Sequence, residues 1–132
     1  MDIDVYAAGA AVRREVLGAA RVDSTAAAAT NDPFYQHFVK FTTTQCWGYI
    51  WTRPGLDRKT RSMLNLAMLA AMARWHELAV HVRGALNNGV TEDEIAEVLL
   101  QAGVYAGVPI AAEGFRVARD VIREVRAEMG DG

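Results

Sequence analysis

An acid, an imidazole and a guanidinium recur at helical spacing in the segment RWHELAVHVRGALNNG, residues 74–89. At about 100° per residue, Arg74, Glu77, His81 and Asn88 fall within roughly 60° of arc, while Trp75, Leu78, Val82 and Leu86 crowd the other side. Glu77 and His81 are i and i+4 and can touch directly. Such contact would hold the imidazole, raise its pKa and prepare it to give up a proton near neutral pH. The plain alternative is a solvated helix face with one ordinary ion pair.

A second cluster lies upstream. Trp47, Tyr49 and Trp51, with Arg53 close behind, can wall a small-molecule pocket that offers apolar surface and a guanidinium for a carboxylate. The same composition suits a hydrophobic plug at a subunit contact. Arg53, Arg58, Arg61, Arg74 and Arg83 fall within about thirty residues, which is where an anionic ligand would go. Some of the five must instead face water or pair with the acids between Glu92 and Glu97.

Other chemistries find less support. His76 and His81 are five apart, which on a helix separates them by about 140°, and neither HExxH nor clustered carboxylates accompany them, so no metal site is expected. Neither Ser24 nor Ser62 sits in a GxSxG elbow, and there is no glycine-rich phosphate loop. Cys46 is the only cysteine. It excludes an intramolecular disulfide and a CxxC redox pair, and in its tryptophan-rich surroundings it reads as a core residue rather than a nucleophile.

The elements that must position these groups are helical. Runs of alternating β-branched residues are missing, while alanine, leucine, methionine, arginine and glutamate are plentiful, so the fold class is all-α with about six helices. The 132 residues, 52% of them hydrophobic, fit one domain spanning 1–132. Fourteen basic against sixteen acidic residues, without a basic run, argue against nucleic acid. With acids at the N-terminus and no long uncharged apolar run, a soluble cytoplasmic protein that does not enter a membrane is expected.

A first amphipathic helix is predicted over residues 5–17, stopped by Gly18, with an alanine-rich connection after it that includes residues 26–29. Asp32 and Pro33 cap a second, on which Phe34, His37, Phe38 and Phe41 recur at helical spacing; His37 reads as packed core. Residues 47–55, rich in glycine, proline and aromatics, predict a packed loop. Asp57 caps the next helix, whose residues 63–72 are apolar nearly all round. That pattern predicts burial on every side, and so oligomerisation. Thr91, Glu92, Asp93 and Glu94 form a capping box flanked by a Val90–Ile95 staple. Its helix is predicted to end near Gly103, and Pro109 starts a last amphipathic helix to about Glu128.

Three blocks, WGYIWTRPGLDRKTRSMLNLAMLAAM, HELAVHVRGALNNGVTEDEIAEVLLQ and YAGVP, resemble the γ-carboxymuconolactone decarboxylases over most of the chain. The resemblance implies the all-helical alkylhydroperoxidase-D-like fold and assembly as a homohexamer, a trimer of dimers. It implies cofactor-independent loss of CO2 from a small anionic lactone, γ-carboxymuconolactone, giving β-ketoadipate enol-lactone in aromatic degradation. Where the related peroxidases carry two cysteines this chain has Arg74 and Glu77, so peroxidase chemistry lacks its thiols.

On this reading His81 donates the proton and Glu77 orients and charges it. Arg53 anchors the acetate side chain, with Arg74 or Arg83 as second cation. Trp47 and Trp51 form an apolar wall for the departing carboxylate, and His76 is a weaker candidate donor to the lactone oxygen. Two residues depart from the family pattern: Tyr49, where an acid is usual, and Ala112, where an asparagine is. They point to the alternatives of another lactone or carboxylic acid substrate in a biosynthetic pathway, or of an oligomeric binding protein without turnover.

Overall fold

The computed structural model describes residues 2–22 and 32–130, so the alanine-rich connection at 26–29 lies outside the described residues. The described residues are helical, with no strand among them. The chain divides into two compact units, Met1–Asp57 and Arg58–Gly132.

In the first unit, α1 (Asp2–Leu17) stops where the sequence predicts, at Gly18, whose φ of 92° ends the helix; residues 19–22 are helical again. Helix α2 (Pro33–Thr42) has Pro33 in its first turn, and the Asp32 carboxylate accepts from the Tyr35 N–H at 3.2 Å. The chain then continues into a π-helix, Thr43–Ile50, which includes the first four residues of the predicted loop. Its end is marked by the Trp51 N–H donating to the Cys46 carbonyl, an i to i+5 bond of 3.1 Å.

Gly48 explains the difference. It serves as a contact surface for α1 rather than as a helix breaker. A Cβ at Gly48 would stand 2.6 Å from both Val5 Cγ1 and the Val5 carbonyl oxygen, and one at Gly9 would stand 2.6 Å from the Gly48 nitrogen. Two backbones pass each other with no room for a methyl group. The α2 stripe also departs from expectation. Phe34 is 85% exposed, Phe38, Phe41 and His37 are exposed too, and none of the residues of α2 is buried. His37 is therefore a surface residue of this chain and not part of its core.

The second unit is formed by α3 (Arg58–Ala71), α4 (Trp75–Asn87), α5 (Glu92–Ala106) and α6 (Val108–Glu128). Its core joins Leu66 and Ala70 of α3 to Leu78, Val82 and Ala85 of α4, with Ile95 and Leu99 of α5 and Ala118 and Val121 of α6. Burying side chains of the Leu and Val type contributes roughly 1.5–3 kcal/mol each. The predicted capping box is present: Thr91 Oγ1 accepts from the Glu94 N–H at 3.1 Å, and Glu94 Oε1 accepts from the Thr91 N–H at 2.9 Å. Val90 and Ile95, the predicted staple, are both buried. Helix α5 runs on to Ala106, one turn past the expected end at Gly103, and the chain turns at Gly107 (φ 116°).

Helix α3 is not buried all round. Ser62, Leu66 and Ala70 face the core, while Leu64, Met68 and Met72 are exposed, Met68 by 52%. The unit needs only one face of α3. The other forms, with Val98, Ala102 and Tyr105 of α5, an open apolar groove of about 740 Å³.

The turn between α3 and α4 is a Schellman motif. The Arg74 N–H donates to the Leu69 carbonyl at 2.9 Å and the Ala73 N–H to the Ala70 carbonyl at 2.9 Å. Its left-handed position is Ala73, with φ of 57°, where glycine would be free of the Cβ penalty.

Two substitutions test these readings by chemical denaturation. Ala73→Gly should stabilise the fold by about 0.5–1 kcal/mol, because relief of the left-handed strain outweighs the extra freedom glycine brings to the unfolded chain. Gly9→Ala should destabilise it by about 1–3 kcal/mol, because its methyl group meets backbone that cannot rotate aside.

Candidate active site

Helix α4 begins at Trp75, with Arg74 at its N-cap position, so Arg74, Glu77 and His81 occupy successive turns. Arg74, His76 and Glu77 are exposed; His81 is partly buried against α3. The helix starts before His76, which places that imidazole away from the face shared by Glu77 and His81.

The neighbour that α3 supplies is Asn65, whose Nδ2 lies 3.4 Å from His81 Nδ1. Asn88, the residue that ends α4, donates through Nδ2 at 2.9 Å to the buried Ser62 Oγ, one turn before Asn65 on α3, a second polar tie between the two helices. Neither Asn65 nor Ser62 stands out as a partner in the sequence. The available signal is a polar side chain inside an otherwise apolar helix, where it must find a hydrogen-bond partner across the packing interface.

The imidazole differs electrostatically from the expectation. Burial lowers the His81 pKa from 6.5 to about 4, and the Glu77 carboxylate, which acts in the raising direction, only partly offsets this. The expected imidazolium near neutral pH is thus replaced by a neutral ring, because the cost of desolvating a cation exceeds the attraction of one exposed acid.

Arg83 has other partners. It forms a two-pronged pair with Glu128, Nη1 to Oε1 at 3.1 Å and Nη2 to Oε2 at 2.7 Å, and Glu124 lies 3.5 Å away. These bonds hold its pKa above the ordinary arginine value. Arg83 fastens α4 to α6 and is not placed as a ligand anchor. The acids at the start of α5 do attract cations as expected, but these are Lys59 to Glu94 at 3.1 Å and Arg126 to Glu92.

In the other unit Trp47 and Trp51 stack on each other, their ring centroids 4.9 Å apart and tilted by 31°. At 4% and 5% exposure they are core residues, whereas Tyr49 and Arg53 stand at the surface. Burial pushes the Cys46 thiol pKa up, which disfavours the nucleophilic thiolate. No group of three or more His, Cys, Asp or Glu side chains among the described residues could hold a metal ion. Nor is any helix among them long and apolar enough to cross a membrane. Ala112 lies exposed in the first turns of α6.

The all-α architecture is that of the alkylhydroperoxidase-D-like proteins, and the single Cys46 leaves the chain without a cysteine pair. Residues 36–120 match the Carboxymuconolactone decarboxylase family, and the chain belongs to it. It is 41% identical over 120 residues to 4-carboxymuconolactone decarboxylase of Acinetobacter baylyi, covering 91% of this chain and 88% of that one. It is 44% identical over 117 residues to nitrosuccinic acid decarboxylase of Metarhizium robertsii, covering 89% and 80% respectively. A third relative, an uncharacterized protein of Paracoccus denitrificans, is 34% identical over 80 residues.

The neutral imidazole has a measurable signature. Between pH 6.5 and about 4 the unfolded chain binds a proton at His81 that the folded chain does not. Stability from this group is therefore fully present above pH 6.5 and is lost as pH falls toward 4, by about 3 kcal/mol in all at 1.36 kcal/mol per pH unit. Denaturation at pH 7, 5.5 and 4.5 should show this slope, and His81→Gln should flatten it.

Proposed function

We propose that the protein is a cofactor-independent carboxy-lyase acting on 4-carboxymuconolactone, with loss of CO2 and formation of β-ketoadipate enol-lactone in protocatechuate degradation. The observation that carries this reading is the half-buried, neutral His81 held beside Asn65 on the helix that also presents Arg74 and Glu77. The identity to the Acinetobacter baylyi enzyme, over nearly the full length of both chains, supports it.

The reaction asks for little reactive machinery. When the bond to the departing carboxylate breaks, its electron pair forms a new double bond within the ring, and the original ring double bond shifts its pair into the lactone carbonyl. The substrate accepts its own electrons, so the protein has to stabilise the oxygen that becomes negative and bind the acetate arm. Arg74, exposed at the start of α4, takes the acetate.

His81 acts in its neutral form, donating a hydrogen bond to the enolate oxygen as charge develops there, a task a neutral imidazole performs without an imidazolium. Glu77 polarises the ring from one turn away. The proton that quenches the α-carbon comes from water. Copies of this chain associate, with a homohexamer as the expected form. The groove between α3 and α5 is lined mainly by apolar side chains, with Thr60, Gln101 and the Tyr105 hydroxyl as its uncharged polar groups, which suits another apolar surface and not an anionic acid.

A second reading rests on the relative from Metarhizium robertsii and on Tyr49 and Ala112. Nitrosuccinic acid also carries its own electron acceptor, since the nitro group can take the pair left by CO2. The same imidazole donor would then face a nitronate oxygen.

Purified protein supplied separately with freshly generated 4-carboxymuconolactone and with nitrosuccinate, followed by product mass, distinguishes the two. The lactone should be consumed, and His81→Ala should slow it by about 10²–10³. Turnover of nitrosuccinate alone would favour the second reading. A folded His81→Ala protein with full activity would remove His81 from the mechanism.

A further inference from the structure

We propose that Asn65 is the positioning residue of the site, fixing the ring proton of His81 on Nε2 and thereby making Nε2 the donor that meets the substrate. The catalytic half of this rests on the proposed decarboxylation; the structural half does not.

The atoms that face each other decide the tautomer. Asn65 presents its amide nitrogen, Nδ2, to His81 Nδ1 across 3.4 Å. An amide nitrogen has protons to offer and no lone pair to share, so Nδ1 must supply the lone pair. A neutral imidazole has a single ring proton, and with Nδ1 acting as acceptor that proton sits on Nε2. Burial supplies the condition that the ring is neutral, since it holds the pKa near 4.

The position of Asn65 fits this task. It interrupts the run MLNLAML on α3, between Leu64, which is exposed, and Leu66, which is fully buried. A polar amide at that boundary gives up some burial, and what it gains is a hydrogen bond to the ring. The neighbouring Ser62–Asn88 bond ties α3 to α4 without touching the imidazole, so anchoring the two helices does not by itself require Asn65. The Glu77 carboxylate also acts on the ring; it is exposed and lies on α4 itself. It acts on the charge of His81 from its own helix, whereas Asn65 selects a nitrogen from across the interface.

The consequence for catalysis is directional. A hydrogen bond to a developing enolate needs a proton on the nitrogen that faces it, and the reversed tautomer would present a lone pair to an oxygen gaining negative charge. A wrong tautomer in an otherwise intact site therefore affects the chemical step more than binding.

The test is 15N nuclear magnetic resonance of ring-labelled protein at neutral pH, where protonated and unprotonated imidazole nitrogens resonate far apart. Signals of His81 are identified as those lost in His81→Gln. In the unsubstituted protein Nδ1 should be unprotonated and Nε2 protonated. Asn65→Asp, which offers a carboxylate in place of an amide donor, should move the proton to Nδ1 or protonate both nitrogens. It should lower kcat about a hundredfold or more with little change in KM. Ser62→Ala, which removes the other tie, should leave the His81 signals in place.

A proton on Nδ1 in the unsubstituted protein would overturn the proposal, and this result needs no variant to fold. Nitrogen signals in folded Asn65→Asp identical to those of the unsubstituted protein would overturn it as well. So would a reversed tautomer with undiminished kcat. Failure of the decarboxylation reading would appear separately, as absence of turnover with the nitrogen signals as expected.

Discussion

Placing an imidazole where two helices meet withdraws water from it, and the site follows from that single cost. Leu66 and Ala70 of α3 pack with Leu78 and Val82 of α4, and this contact brings His81 out of solvent. Once the ring is desolvated, an exposed carboxylate one turn away cannot keep it charged. A neutral ring then has one proton to place, and α3 offers an amide to decide where. Packing, protonation state and hydrogen-bond direction are thus consequences of one another rather than independent features.

Much of this is legible in the sequence where the physics is local. Caps are written in a few adjacent residues, so Gly18, Asp32–Pro33 and the Thr91–Glu94 box can be read directly. Helical spacing alone likewise groups Arg74, Glu77 and His81 on one face. What escapes depends on the partner across an interface. Gly48 reads as a breaker unless Gly9 and Val5 are known to lie against it. Arg83 reads as a free cation unless Glu128 and Glu124 are brought to it from α6. The i to i+4 pairing of Glu77 and His81 is visible in the spacing, but the burial that outweighs it is not. A run of apolar residues shows that a helix can be buried, not how many of its faces this chain itself covers, and α3 covers one.

The family relation and the site chemistry bear on different questions. Membership constrains the scaffold and the kind of bond that breaks, while the two decarboxylase relatives are named for acids with quite different electron acceptors, a lactone and a nitro group. A hydrogen-bond donor aimed at a developing oxyanion serves either acceptor, because both place negative charge on oxygen. Discrimination then belongs to the residues that shape the rest of the ligand's surroundings. Tyr49 and Ala112, the two residues expected from the sequence to depart from the family pattern, are both exposed.

The short connections of the second unit bear on how the site comes into being. Helices α3 and α4 are joined by residues 72–74, α4 and α5 by 88–91, and α5 and α6 by Gly107 alone. Each helix is thus delivered beside its successor at almost no loop-closure cost, and the contacts between successive helices are close in sequence. Asn65 and His81 are only sixteen residues apart, on the two arms of one helical hairpin. The hydrogen bond between them needs only that hairpin to close and no residue of the last helix, so the polar geometry of the site is local to two neighbouring elements.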